Sequence, residues 1–147
     1  RLFIGFSLLV EIYWTLSFFF GWPFFSQGGA KVVISASHIY ASPAEMPQAI
    51  FALLLFKIGV GFLSGLALFA LFQLYGEGIV FSAKNVRYIR YLGYALILSW
   101  GIDYLMQASL HDMALSMTPV LVGFLIIFAA WIMDEGRKIQ EEQALTV

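Results

Sequence analysis

Residues 75–94 read YGEGIVFSAKNVRYIRYLGY and form a long polar break between two strongly apolar stretches of the sequence. This break carries Lys84, Arg87 and Arg90, three of the eight basic residues in the chain. The apolar stretches on either side are long enough to cross a bilayer, whose core of about 30 Å requires roughly 20 apolar residues per helix. The segment therefore predicts a polar loop that joins two membrane helices.

The overall composition also indicates an integral membrane protein. Hydrophobic residues make up 61% of the 147 residues and charged residues only 12%, whereas soluble domains contain about 45–50% apolar residues. The mean hydropathy of +0.87 agrees. The chain has no cysteine, which excludes disulfides, thiolate metal sites and cysteine nucleophiles.

Four apolar stretches predict an all-α, polytopic, antiparallel bundle of four transmembrane helices in one domain spanning residues 1–147. The predicted helices cover about 2–22, 47–75, 83–110 and 113–139. The predicted connections are an external loop at 23–46, a cytoplasmic loop at 76–86 and a cytoplasmic tail at 134–147.

Capping signals mark several of the helix starts. Ser42 and Glu45 have the spacing of a capping box, with Pro43 at the first helical position. Pro47 lies close behind, and either proline could mark the start of the helix. Ser82 is expected to cap the third helix, and Thr118-Pro119 is a second combination of cap and proline.

The external loop contains a β-branched stretch, KVVIS, at residues 31–35. Such a stretch could form a short strand, but an isolated strand is only marginally stable in water. We therefore predict a loop that lies on the outer surface.

The basic residues predict that both termini face the cytoplasm. One side of the four-helix arrangement carries Arg1, Lys84, Arg87, Arg90, Arg137 and Lys138. The opposite side carries only Lys31, together with two histidines. Cytoplasmic loops are enriched in lysine and arginine, so the central loop and both termini are assigned to the cytoplasm.

Three charged residues, Glu11, Lys57 and Asp103, interrupt the predicted spans. Each costs about 2.5–3.5 kcal/mol on insertion scales, so we expect them to cluster inside the bundle. One lysine can neutralise only one of the two acids, and the other is expected to be protonated or to meet water. The cluster is either a structural ion pair, a proton or ion site, or a contact to a charged partner helix.

Gly61 and Gly65 form a small-xxx-small pattern in the second predicted helix. Small residues allow close approach of helix backbones, and this pattern is more often internal packing than dimerisation. We predict that these two glycines pack against another helix of the chain.

Residue patterns that support catalysis are largely missing, so we expect no enzymatic activity. Neither histidine lies in a predicted span, which argues against a bis-histidine haem. His38, His111 and Asp112 have no spacing that demands a metal ion. We expect no cofactor and no metal. Since the basic residues are few and localised, we also expect no direct binding of nucleic acid.

The basic loop has two interpretations. In the first, Lys84 and Arg87 meet anionic headgroups of the bilayer, while Tyr88, Tyr91 and Tyr94 lie at the interface. In the second, the loop and the tail form a docking surface for a protein partner. The residues assigned to that surface are Lys84, Asn85, Arg87, Arg90, Glu141, Leu145, Thr146 and Val147.

Two cytoplasmic stretches carry a family resemblance. They read Leu74-Tyr75-x-x-Gly78-x-x-Phe81-x-x-x-Asn85-Val86-Arg87-x-x-Arg90-x-x-Gly93 and Gly136-x-x-x-x-Glu141-x-x-x-Leu145-Thr146-Val147. With the four-span layout, they resemble the bacterial DUF2975 family of membrane proteins. The resemblance implies the bacterial inner membrane and a gene often placed beside a small helix-turn-helix regulator. That placement implies sequestration or control of the regulator at the membrane.

Three functions remain open from the sequence. The first is a regulatory protein that binds a cytoplasmic partner, and the second is an accessory subunit of a larger membrane complex. The third is a small proton-coupled transporter, because Glu11 beside Tyr13 and Trp14 resembles the small multidrug transporters. Lys57 counts against this third function, since its charge would compete with a cationic substrate.

Overall fold

The chain is mostly helical, with a short β-hairpin before the second helix. The structure, a computed structural model, describes residues 5–6, 9–10, 12–13, 15–17, 32–35, 38–40, 42–79, 82–111 and 116–145. The helical residues at 5–6, 9–10, 12–13 and 15–17 are labelled α1. The elements that follow are β1 (Val32–Ser35), β2 (His38–Tyr40), a 3₁₀ turn (Pro43–Glu45), α2 (Gln48–Gly76), α3 (Ala83–Ser109) and α4 (Thr118–Leu145).

Two helices have the length and composition needed to cross a membrane. These are α2, and α4 over residues Thr118–Gln143. Only 11% of the most apolar part of each helix is buried inside the chain. A core helix of a soluble protein would be mostly buried, so these exposed apolar faces suit lipid. Helix α3 has similar length, but its first turns carry a lysine and two arginines.

The turn between α2 and α3 is closed by hydrogen bonds at both helix ends. Gly78 has a φ of 77°, and its N–H donates to the Tyr75 carbonyl, while the Ile79 N–H donates to the Leu74 carbonyl. This is a Schellman motif, which favours glycine at the left-handed position. Residues 77–79 thus form a well-defined end of α2, and α2 and α3 match the predicted ranges closely.

Asn85 joins this turn to the start of α3. Its backbone N–H donates to the Ser82 hydroxyl at 3.2 Å, which confirms Ser82 as the helix cap. Its side-chain amide donates to the Ile79 carbonyl at 2.5 Å, and the residue is 0% exposed. The two bonds hold the polar loop against the helix end.

Helices α3 and α4 approach each other most closely at a pair of glycines. A Cβ atom at Gly93 would lie 2.6 Å from Ile127 Cγ1 and 2.9 Å from the Gly123 carbonyl oxygen. A Cβ atom at Gly123 would lie 2.7 Å from Ile97 Cγ1. Each glycine therefore packs against an isoleucine of the opposite helix. The two backbones are in close contact because neither glycine has a side chain that would separate them.

The predicted surface loop contains a hairpin, so the isolated strand that we considered marginal has a partner. Strands β1 and β2 are antiparallel, with Val33 opposite Ile39 and an irregularity before Ser35. Ile34 and Tyr40 pack against the apolar cluster of Met46 and Leu54. A second strand and burial of one face supply the stability that one strand lacks.

The buried core lies where the start of α2 meets the end of α3. Ile50, Ile102 and Met106 form a buried cluster, and Ile34 of β1 packs against it. Because the start of α2 contacts the end of α3, these helices are antiparallel.

Helix α4 differs most from its prediction. We expected a helix at 113–139 and a separate tail from 134, but α4 begins at Thr118 and is unbroken to Leu145. The polar residues continue the helix because Arg137 pairs with Asp134 and Glu141, three and four residues away. Residues 112–115 and 146–147 lie outside the described part of the chain.

We predict that Gly93→Ala lowers the free energy of unfolding by about 1–3 kcal/mol, because the methyl group overpacks the α3–α4 contact. The control is Gly101→Ala, where no described atom lies within 4 Å of the added Cβ. That substitution is expected to be neutral or stabilising by up to about 1 kcal/mol. Thermal unfolding of both variants in a mild detergent provides the measurement, and equal effects would contradict the close contact.

Candidate functional site

The first turns of α3 and the last turns of α4 together form a polar surface, which we call the polar end (residues 83–94 and 134–145). Arg90 of α3 reaches Asp134 of α4, with 3.9 Å between Nη2 and Oδ2. A cavity of about 300 Å³ lies between the two helices and is lined by Arg87, Arg90 and Asp134. The structure thus brings the basic loop and the predicted tail together.

Ion pairs organise the α4 side of the polar end. Asp134 accepts hydrogen bonds from Nε and Nη2 of Arg137 at 3.1 and 3.0 Å, and Arg137 also donates to Glu141 at 2.5 Å. Lys138 donates to Glu135 at 2.8 Å. Hydrogen bonds to Asp134 and Glu141 raise the pKa of Arg137, and the bond to Glu135 raises the pKa of Lys138. Both cations therefore stay charged at neutral pH.

Two basic side chains of the polar end remain available for other molecules. Lys84 and Arg87 are exposed, and neither forms an ion pair with a described acidic residue. Their charges are not used in holding the helices together. They are the residues of this surface that can meet an anionic ligand or partner.

The structure separates the predicted partner-binding residues into groups. Asn85 is buried and holds the loop, so its place is structural. Glu141 and Leu145 are exposed and lie four residues apart, which places them on one helix face. Thr146 and Val147 lie outside the described residues.

A second candidate site surrounds the charges inside the bundle. Lys57 Nζ of α2 lies 2.5 Å from Asp103 Oδ1 of α3, so the structure pairs these two predicted cluster members. They line a cavity of about 670 Å³ that is also bordered by Ile12 of α1 and Ile34 of β1. Glu11, the third predicted member, lies outside the described residues.

The glycines of the helix contacts were only partly anticipated. Gly61 lines the cavity beside Lys57, and Gly65 is half-buried, so their predicted packing role stays a prediction. Gly93 and Gly123, which make the close contact, were not predicted to pack. A signal was present, because each is followed four residues later by an isoleucine that completes the contact.

Within the described ranges, no three His, Cys, Asp or Glu residues lie close enough to share a metal ion.

We predict that Asp103→Asn destabilises the protein by up to about 3 kcal/mol, because the Lys57 ammonium group loses its counter-charge in an apolar setting. Breaking a fully buried ion pair costs about 3–5 kcal/mol. The lower value applies here because the side chains of Lys57 and Asp103 are 36% and 30% exposed within the chain. The double variant Lys57→Met/Asp103→Leu should recover much of the loss, because both charges are removed.

Thermal unfolding in detergent measures these effects. Lys138→Gln, which breaks an exposed pair, is the control and should change the free energy by at most about 1 kcal/mol. An Asp103→Asn protein as stable as wild type would contradict a structural role for the pair.

Comparison with curated proteins and with solved structures found no match. A family model described as "Protein of unknown function (DUF2975)" matches residues 31–147. The match covers the hairpin, helices α2 to α4 and both halves of the polar end. It agrees with the resemblance carried by the two cytoplasmic stretches. The chain belongs to the DUF2975 family.

Proposed function

We propose that the chain is an integral protein of the bacterial inner membrane, with four spans and both termini in the cytoplasm. The exposed apolar faces of α2 and α4 support insertion. The contact between Arg90 of α3 and Asp134 of α4 joins the basic start of α3 to the end of α4. The positive charges of that polar end favour the cytoplasmic side.

The lack of cysteine makes this topology directly testable, because a single introduced cysteine is the only thiol in the chain. We predict that Val33→Cys, on the exposed face of β1, reacts with a membrane-impermeant maleimide in intact spheroplasts. Lys84→Cys and Gln140→Cys should react only after permeabilisation. The cysteine-free wild type is the control for background labelling, and labelling of Lys84→Cys in intact cells would overturn the orientation.

We further propose that the protein is not an enzyme and binds a cytoplasmic protein partner through the polar end. The observation that carries this proposal is the continuation of α4 beyond its apolar part. Twelve residues, 134–145, add about 18 Å of helix. On this polar extension Ile139 is 54% exposed and Leu145 is 87% exposed.

Exposed apolar side chains on a polar helix are typical of helices that dock into a groove of another protein. Intrahelical ion pairs keep this extension ordered, so less conformational entropy is lost on binding. The family resemblance points to a small helix-turn-helix regulator as the partner. Binding to the polar end would hold such a regulator at the membrane.

We predict that Leu145→Ser weakens partner capture about tenfold or more, as expected when an apolar anchor is lost. Gln140→Ser, on the same exposed part of α4, is the matched control and should capture the partner normally. The protein carries an N-terminal tag, and native membranes in mild detergent are the source of partners. Mass spectrometry quantifies any small DNA-binding protein in the eluate.

The same experiment separates the alternatives. Unchanged capture by Leu145→Ser would exclude this face as the docking element. A stoichiometric set of large membrane subunits would make the chain an accessory subunit.

The cavity beside Lys57 and Asp103 favours transport as a second candidate, because its volume of about 670 Å³ admits a small solute beside a charged pair. If the protein were recovered without any partner, transport through the predicted cluster of Glu11, Lys57 and Asp103 would become the leading proposal.

A further inference from the structure

A groove of about 690 Å³ lies between α2 and α3. Its walls are apolar side chains of both helices, including Leu63 and Leu98. Three alanines with small side chains, Ala67, Ala70 and Ala95, also line it. A ligand in this groove would therefore meet an apolar and open-sided channel.

Tyrosines connect this groove to the basic residues. Tyr91 and Tyr94 line the groove and also line the smaller cavity that contains Arg87 and Arg90. Tyrosine combines an apolar ring with a hydroxyl that can donate a hydrogen bond. Because the two cavities share these tyrosines, they adjoin along α3 and offer a path from the arginines to the apolar walls.

The length of this path matches one leaflet of a bilayer. Arg87 and Leu98 are eleven residues apart on α3, which corresponds to about 16 Å along the helix axis. Half of a typical hydrocarbon core of about 30 Å has nearly the same depth. An acyl chain lying in the groove would therefore place its headgroup beside Arg87.

The charges at the mouth favour an anionic headgroup. Arg90 is shared with Asp134, whereas Arg87 is exposed and forms no ion pair with a described residue. A guanidinium group binds phosphate through paired hydrogen bonds. The basic mouth and the apolar walls together are complementary to both parts of a phospholipid.

We propose that this groove binds an anionic phospholipid of the cytoplasmic leaflet. One acyl chain lies along Leu63, Ala67 and Leu98, and the phosphate meets Arg87 with hydroxyl groups of Tyr91 and Tyr94. The inference rests on the proposed membrane orientation and does not depend on a protein partner.

Native mass spectrometry of the delipidated full chain in mild detergent tests the proposal. Equimolar phosphatidylglycerol and phosphatidylcholine with identical acyl chains are added together. We expect phosphatidylglycerol to bind in excess. Arg87→Gln should lower its binding about fivefold, the factor that corresponds to about 1 kcal/mol per basic residue. Lys138→Gln, a cation of the polar end outside the groove, is the matched control.

A second pair of variants tests the acyl-chain site. Ala67→Phe fills the groove and should reduce binding of both lipids, whereas Ala52→Phe, on an exposed part of α2, should not. Soluble glycerol phosphate should fail to compete, because it has no chain for the groove.

Several results would overturn the proposal. One is equal binding of the two lipids, and another is an equal effect of Arg87→Gln and Lys138→Gln. Competition by glycerol phosphate would also contradict it. The last is a dimer without bound lipid in which a second copy of the chain covers the groove. With the cysteine labelling as predicted, such results refute the lipid site alone. Labelling of Lys84→Cys in intact cells refutes the orientation itself.

Discussion

The contact between Gly93 and Gly123 is the constraint on which the polar end depends. Since neither residue has a Cβ, the backbones of α3 and α4 meet directly and each isoleucine lies over the opposite glycine. Arg90 lies one turn from Gly93, and long helical side chains point toward the helix N-terminus. Because the Arg90 side chain points in this direction, its guanidinium group reaches Asp134. The basic start of α3 and the polar extension of α4 therefore form one surface.

Helices α2 and α3 could be predicted closely because local chemistry marks their ends. Gly78 adopts the left-handed conformation after α2, and Ser82 caps α3. A cluster of Glu11, Lys57 and Asp103 was predicted from the cost of isolated charges in apolar spans, and the structure pairs Lys57 with Asp103. The caps involve residues that are close together in the sequence, and the charges in the spans have few possible partners. Both kinds of interaction can therefore be predicted from the sequence.

Other features depend on contacts that local patterns do not specify. The stretch KVVIS forms a strand because residues 38–40 pair with it and Ile34 reaches the buried core. Helix α4 extends to Leu145 because several ion pairs act together, although Gly136 is a weak helix former. Gly93 and Gly123 allow the close contact only as a pair. Because they lie on different helices, they become neighbours only in the folded chain.

The charged residues of the polar end fall into two groups, one paired within the chain and one exposed. Asp134 pairs with both Arg90 and Arg137, and Arg137 also pairs with Glu141, so these charges connect α3 to α4 and stabilise the last turns of α4. Lys84 and Arg87 have no such pairing among the described residues and keep their attraction for anions. Because Arg87 lines the smaller cavity beside the groove while Leu145 is on α4, the proposed lipid and partner contacts would involve different side chains. A lipid bound at Arg87 would neutralise one cation of the surface that a partner meets, which would couple partner binding to the anionic lipid content of the membrane.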